Sequence, residues 1–184
     1  MLKNNKLDYY IFLEELNKKT SENIIKLQRR KLIVNIILTF NQNFVHIVKF
    51  AKINKIPIFV TDNIGLAIKN NAKGIFLTSK NKNLPLNISR TIKFEIIGSA
   101  HNQIEYYFKK KQNCSTIFLS PIFFNPKYSK NQILNIQRFN MISLNWKTKI
   151  CALGGINTEN IKKIKCTRAQ SLAFNRAIKN PPTI

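Results

Sequence analysis

Three turns in the second half of the chain carry the residue types that chemistry needs. Ser99-Ala100-His101-Asn102 follows the apolar run Phe94-Glu95-Ile96-Ile97 and holds one of only two histidines. An imidazole at such a turn can shuttle protons near neutral pH, although a lone histidine can equally be a hydrogen-bonded structural residue. Ser120-Pro121-Ile122-Phe123 follows Ile117-Phe118-Leu119, and its loop runs on to Lys127 and Lys130. Either lysine could meet an anionic substrate or be one more solvated cation. Gly154-Gly155-Ile156-Asn157 follows Ile150-Cys151-Ala152-Leu153 and precedes an expected helix start at Thr158-Glu159-Asn160. Two glycines let the backbone approach a ligand, and a helix start offers N–H groups and a positive dipole end to phosphate. The alternative is a tight turn that binds nothing. His46, inside an amphipathic stretch, reads as a helix-face residue.

Each turn ends an apolar run short enough for a buried strand, and the segments between are long enough for helices. The same alternation fills the rest of the chain. The strands are expected at Tyr9–Leu13, Leu32–Leu38, Ile56–Val60, Lys73–Leu77, Phe94–Gly98, Thr116–Leu119, Lys149–Leu153 and Ser171–Phe174. Helices are expected from Ser21, around Val45–Ala51, from Asp62 to Lys69, over Leu84–Ile92, Gln103–Lys111, Ile133–Ser143 and Glu159–Lys165, with a last turn at Arg176–Asn180. Sequential parallel strands need right-handed crossovers, and eight such units close most simply into a (β/α)8 barrel. An open doubly wound sheet is the alternative, but no Gly-rich dinucleotide fingerprint follows any strand. The expectation is an α/β protein, a compact TIM barrel with shortened helices and loops, formed as a single domain over residues 1–184. Functional residues then gather where strands end.

Composition narrows the class. The chain has 184 residues, 44% of them hydrophobic, which is globular and leaves room for a real core. No apolar run reaches a membrane span, and Met1-Leu2-Lys3-Asn4-Asn5-Lys6 lacks the apolar core of a signal peptide. Cys114, Cys151 and Cys166 lack metal-ligand spacing and read as reduced core residues of a cytoplasmic protein. There are 31 Lys and Arg against 8 Asp and Glu, a formal net charge of +23. Such a surface attracts nucleic acid, anionic lipid or phosphorylated metabolites. The basic residues are dispersed, however. Arg29-Arg30-Lys31, Lys109-Lys110-Lys111 and Lys162-Lys163 fall in different helices or at their edges, which points to solvated helix faces before a nucleic-acid surface. The basic RNA-associated protein remains as an alternative class.

With these residues in place, the second half of the chain resembles the thiamine phosphate synthase/TenI family. The resemblance covers about residues 56–178. Gly98-Ser99-Ala100-His101-Asn102 is similar to that family's Ser-Thr-His turn, Ser120-Pro121-Ile122-Phe123 to its Gly/Ser-Pro-Val/Ile-Phe, and Gly154-Gly155-Ile156-Asn157 to its Gly-Gly-Ile-Asn. It implies the (β/α)8 fold, a cytoplasmic enzyme of thiamine biosynthesis and a phosphorylated small-molecule substrate, with no nucleic-acid or membrane partner. Synthases are transferases that join hydroxymethylpyrimidine diphosphate to thiazole phosphate. TenI-type members isomerise the thiazole phosphate with a histidine, here His101. The substrate- and phosphate-binding candidates are Ser99, Ser120, Lys127, Gly154, Gly155 and Asn157.

The chain departs from the family at several catalytic positions. Synthases hold magnesium with two aspartates. Thr61-Asp62 matches the first with its preceding Asn lost, and Thr78-Ser79-Lys80-Asn81 stands where the second belongs and has no carboxylate. Asp62 is thus the single candidate metal ligand, with capping of the following helix as its other role, and weak or absent magnesium binding is expected. Leu38-Thr39-Phe40-Asn41 replaces the family's diphosphate-gripping Arg and Lys, and Tyr128 occupies the slot of a lysine, with Lys127 one position away. The alternatives to a synthase are therefore a TenI-like thiazole tautomerase or a phosphate-binding relative without catalysis.

Overall fold

The computed structural model describes residues 8–83, 94–126 and 128–174. Eight parallel strands close into a barrel in sequence order: β1 (Asp8–Leu13), β2 (Ile33–Leu38), β3 (Ile58–Thr61), β4 (Gly74–Leu77), β5 (Glu95–Ala100), β6 (Thr116–Leu119), β7 (Lys149–Leu153) and β8 (Ser171–Phe174). β1 pairs with both β2 and β8, which completes the closure. Five α-helices are present among the described residues, at Lys18–Arg29, Phe44–Ile53, Ile64–Lys69, Gln103–Lys111 and Asn135–Ser143. The expected helix at Leu84–Ile92, the turn at Arg176–Asn180 and Lys127 lie outside the described residues. No described helix is long and apolar enough to cross a membrane.

The core has two layers because each strand buries both faces. Inside the barrel, one side chain from every strand meets at the centre: Tyr10, Ile37, Phe59, Phe76, Ile97, Phe118, Cys151 and Ala173. Large rings on β1, β3, β4 and β6 are offset by small residues on β7 and β8. Tyr10 and Phe118 pack edge to face at 4.9 Å, and Phe76 and Phe118 at 5.2 Å. The barrel is therefore a filled core and not a pore. The outer layer packs the opposite strand faces against the helices, with Tyr106 stacked on Trp146 at 4.2 Å.

Several boundaries differ from those read in the sequence. The first helix begins at Lys18 and not Ser21, because Asn17 caps it by accepting from Thr20 N at 2.8 Å. The third helix is capped by Asn63, which accepts from Leu66 N at 2.9 Å, so Asp62 is not its cap. Lys130–Gln132 is a 3-10 turn before a helix that starts at Asn135. Beyond β7 the expected α-helix is a 3-10 turn at Ile161–Cys166. Cys114 and Cys151 are buried, as core residues should be, while Cys166 is exposed. Asp8 opens β1 and so lies at the N-terminal end of the barrel, opposite the rim where Asp62, His101, Ser120 and Gly154 follow their strands.

Candidate active site

The C-terminal rim is built by strand alternation. Residues two positions beyond the central layer share its face. That rule places Phe12, Thr39, Thr61, Thr78, Ser99, Ser120 and Leu153 around the barrel mouth, above Tyr10, Ile37, Phe59, Phe76, Ile97, Phe118 and Cys151. Hydroxyl residues thus stand at the ends of five consecutive strands, β2 to β6. Sequence reading singled out only Ser99 and Ser120. The other three carry the same signal, a hydroxyl two residues after an inward aromatic or aliphatic side chain. β5 runs to Ala100, two residues further than expected, so Ser99 is a buried strand residue and not part of the turn.

His101 sits just past β5, partly exposed. Its Nδ1 lies 2.8 Å from the Ser120 carbonyl oxygen and 3.2 Å from Ser120 Oγ. A carbonyl only accepts, so Nδ1 carries the proton, and in the neutral ring Nε2 keeps its lone pair. The same contact prevents Nδ1 from acting as a base toward the Ser120 hydroxyl, which removes Ser120 as an activated nucleophile. Glu105 Oε2 accepts from the His101 backbone N–H at 2.7 Å, and Asn102 caps the following helix at Glu105 N. The ring is thus held by the β6 loop and its backbone by the helix start. Tyr128 lies 6.1 Å away, ring to ring.

The turn after β7 is locked to the loop after β6. Ile122 N donates to Leu153 O at 3.0 Å and Phe123 N to Gly154 O at 3.1 Å. Gly154 and Gly155 have φ of 95° and 70°, and a Cβ on Gly154 would lie 2.9 Å from Pro121, while one on Gly155 would strike the Phe123 and Phe124 carbonyls. Only glycine fits both demands. Asn157 Oδ1 accepts from Glu159 N and Asn160 N at 3.0 Å each, and Asn160 Oδ1 accepts from Asn157 N at 2.9 Å. The N–H groups expected to greet a phosphate at a helix start are therefore used by the turn's own side chains, and Asn157 organises the turn.

On the other half of the rim, Asp62 has φ 50°, a left-handed conformation that asparagine and aspartate tolerate better than most residues. Its Oδ1 accepts from Thr78 N at 3.1 Å and Asn81 Nδ2 at 2.8 Å, and its Oδ2 from Thr78 Oγ1 at 2.6 Å. Residues Thr78 to Asn81 form a turn closed by Asn81 N on Thr78 O at 3.0 Å. Lys109, expected on a solvated helix face, is 0% exposed. Its ammonium donates to Thr78 O at 2.6 Å, Asn81 O at 2.7 Å and Gln112 Oε1 at 2.9 Å. Burial pushes its pKa below the usual lysine value, against the pull of Cys114, Asp62 and Glu105. Cys114 is pushed up to about 12 by burial, with Lys109 acting in the other direction. The signal for Lys109 was its spacing: it lies three residues after the buried Tyr106, on the same helix face.

Magnesium takes hard oxygen ligands, usually one or two carboxylates and substrate phosphates in near-octahedral order. Asp62 is one carboxylate whose two oxygens already accept three hydrogen bonds, its neighbour at 81 is an amide, and a buried ammonium lies behind the same turn. Among the described residues no group of three His, Cys, Asp or Glu is placed to hold a metal. The donor set does not fit the ion.

Fold and rim together define a (β/α)8 barrel protein with its polar residues gathered at the C-terminal mouth. A family model described as thiamine monophosphate synthase matches residues 28–178, and the chain belongs to that family. The match begins earlier than the motifs alone showed. Over 128 residues the chain is 33% identical to the thiamine-phosphate synthase of Flavobacterium psychrophilum, covering 65% of this chain and 61% of that protein. Over 122 residues it is 32% identical to that of Prochlorococcus marinus, covering 65% of this chain and 35% of the relative. The chain thus spans less than two thirds of the length of these relatives. The solved thiamine phosphate pyrophosphorylase of Pyrococcus furiosus superposes with a TM-score of 0.74 at 16% identity, covering 96% of this chain and 89% of that one, a likeness of fold.

Proposed function

We propose that this chain acts on a phosphorylated small molecule of thiamine phosphate metabolism in the cytoplasm, and that its chemistry is proton transfer of the TenI-like tautomerase kind. The observation that carries this reading is the His101 imidazole, whose Nδ1 is pinned to the Ser120 carbonyl at 2.8 Å. A fixed tautomer with an available Nε2 is the arrangement a general base needs. The substrate phosphate would rest against the Gly154–Gly155 turn, whose glycines let the β6 loop pack against it, with Ser99 and Ser120 lining the mouth and Lys127, by its place in the sequence, as a further cation.

The coupling reaction of the synthases is the second reading, favoured by the family match. It would need magnesium and a grip on diphosphate. Asp62 is taken up by the 78–81 turn, and the loop after β2 offers Thr39, Phe40 and Asn41, with Asn41 Nδ2 donating to Glu14 O at 3.0 Å. The test is to incubate the protein with thiazole phosphate in deuterated water, and separately with thiazole phosphate and the pyrimidine diphosphate plus magnesium. Isomer interconversion with deuterium uptake and background diphosphate release are the expected results. Magnesium-dependent diphosphate release at a robust rate would overturn the proposal in favour of the synthase.

A further inference from the structure

Lys109 stands apart from everything that the proton-transfer reading uses. It projects from the helix after β5, on the outside of the barrel, and its head reaches beneath the turn after β4. The route is opened by Gly98: a Cβ there would lie 2.9 Å from Lys109 Cδ and 3.1 Å from Leu77 O. All three ammonium donors are filled, by two backbone carbonyls of the turn and by Gln112. Gln112, also buried, turns its amide nitrogen to Asn81 O at 3.1 Å and Asn83 O at 2.7 Å. The same turn presents its front side to Asp62 through Thr78 N, Thr78 Oγ1 and Asn81 Nδ2. Cation and carboxylate thus hold opposite sides of one four-residue turn, the cation on its carbonyls and the carboxylate on its N–H and hydroxyl groups.

A buried cation is costly unless paired and fully hydrogen-bonded. Simple bracing could be done by neutral donors, as Gln112 already does. What the ammonium adds is a positive charge at the place where Asp62 gathers donors. We propose that Lys109 is the built-in cation of this half of the rim: it fixes the 78–81 turn and balances Asp62, so that the site is organised without a divalent metal. Lys109 is a positioning residue and touches no substrate, since its donors are all used within the protein. The inference rests on the reading of the rim as a phosphate site, for which a metal would otherwise be the usual organiser.

The discriminating variant is Lys109→Met. It keeps the stem and removes the charge. The carbonyls it leaves retain partners, Thr78 O from Asn81 N and Asn81 O from Gln112 Nε2, so the fold should survive. Amide exchange at Thr78 and Asn81 is measured in the wild type and the variant, each in EDTA and in magnesium. Wild-type protection should be the same in both media. In Lys109→Met it should fall by about tenfold or more in EDTA and recover in part with magnesium, as the unbalanced carboxylate accepts the ion. Wild-type protection that rises with magnesium would overturn the proposal. So would variant protection that is unchanged, or that falls without any response to magnesium, the mark of a merely structural brace. Should the variant fail to fold, lysine-selective ¹⁵N NMR of the wild type decides: one exchange-protected ammonium resonance indifferent to magnesium supports the proposal, and a magnesium-shifted or absent one refutes it. Inorganic pyrophosphate titrated into the wild type separates the two claims. Equal binding in EDTA and magnesium supports both, and stronger binding in magnesium overturns the metal-free site. No binding in either medium defeats the phosphate reading, while the exchange data still decide the role of Lys109.

Discussion

The two halves of the rim are built from similar materials and put to different use. After β5, β6 and β7, side chains and backbone support one another and leave one ring nitrogen over: His101 is pinned through Nδ1 and keeps Nε2. After β3 and β4, polar groups are consumed pairwise, Asp62 by Thr78 and Asn81, and the turn's carbonyls by Lys109 and Gln112. The three motifs that carry the resemblance to the family all lie in the first half. The difference teaches that a rim turn with no carboxylate of its own can still be fully hydrogen-bonded. Hydrogen-bonding groups left in a crowded rim find each other, and a charge from outside the barrel can complete the set.

Four substitutions probe that contrast. His101→Ala, on the first half, should lower any isomerase activity by about a hundredfold or more while leaving the melting temperature close to that of the wild type. Full activity would end the proton-transfer role, and a large loss of stability would make the histidine structural. Gly155→Ala should cost about 1–3 kcal/mol from its backbone conformation alone, and more because the Phe123 and Phe124 carbonyls must move. Chemical denaturation measures it, and weakened phosphate binding should accompany it because the β6 and β7 loops shift together.

Thr78→Val removes the 2.6 Å bond to Asp62 on the self-satisfied half. It should cost about 1.5 kcal/mol, as expected for a hydrogen bond to a charged group, and leave His101-dependent activity intact. Activity that falls in step with stability would show that the halves are coupled. The smallest effect is expected at the opposite end of the barrel. Burial raises the Asp8 carboxyl above its ordinary 3.8, against the pull of Lys149 and Lys73 and with Glu95 adding to the rise. An acid with a raised folded pKa contributes stability below its ordinary value and loses it as pH climbs through the raised one. Ionised Asp8 is therefore a mild burden at neutral pH. Asp8→Asn should raise the melting temperature slightly at pH 7, and the gain should vanish below about pH 4.

How far the sequence reached depended on the range of the interactions involved. The eight strands, their order and the three motif turns were legible because each is a local pattern: an apolar run, then a turn. Helix ends were less so. Asn17 caps the first helix ahead of the start expected at Ser21, and Asn63 caps the third in place of Asp62, since in an Asn-rich chain several residues can cap and backbone direction chooses among them. The helix after β7 gave way to a 3-10 turn, preceded by a segment in which the Asn157 and Asn160 side chains take the N–H groups of Asn157, Glu159 and Asn160.

The sequence by itself determined the barrel and the position of His101, Ser120 and Gly154–Gly155 just after their strands, at one end of it. These follow from periodicity and from positions just after strands. Only the tertiary structure decided what the polar groups do there. The partners of Asp62 lie 16 and 19 residues away, and those of Lys109 on the 78–81 turn lie 28 and 31 away. No local pattern encodes such pairs. They exist because the sheet sets β3, β4 and β5 side by side, and because Gly98 leaves space for a lysine to cross over it on the outside of the barrel.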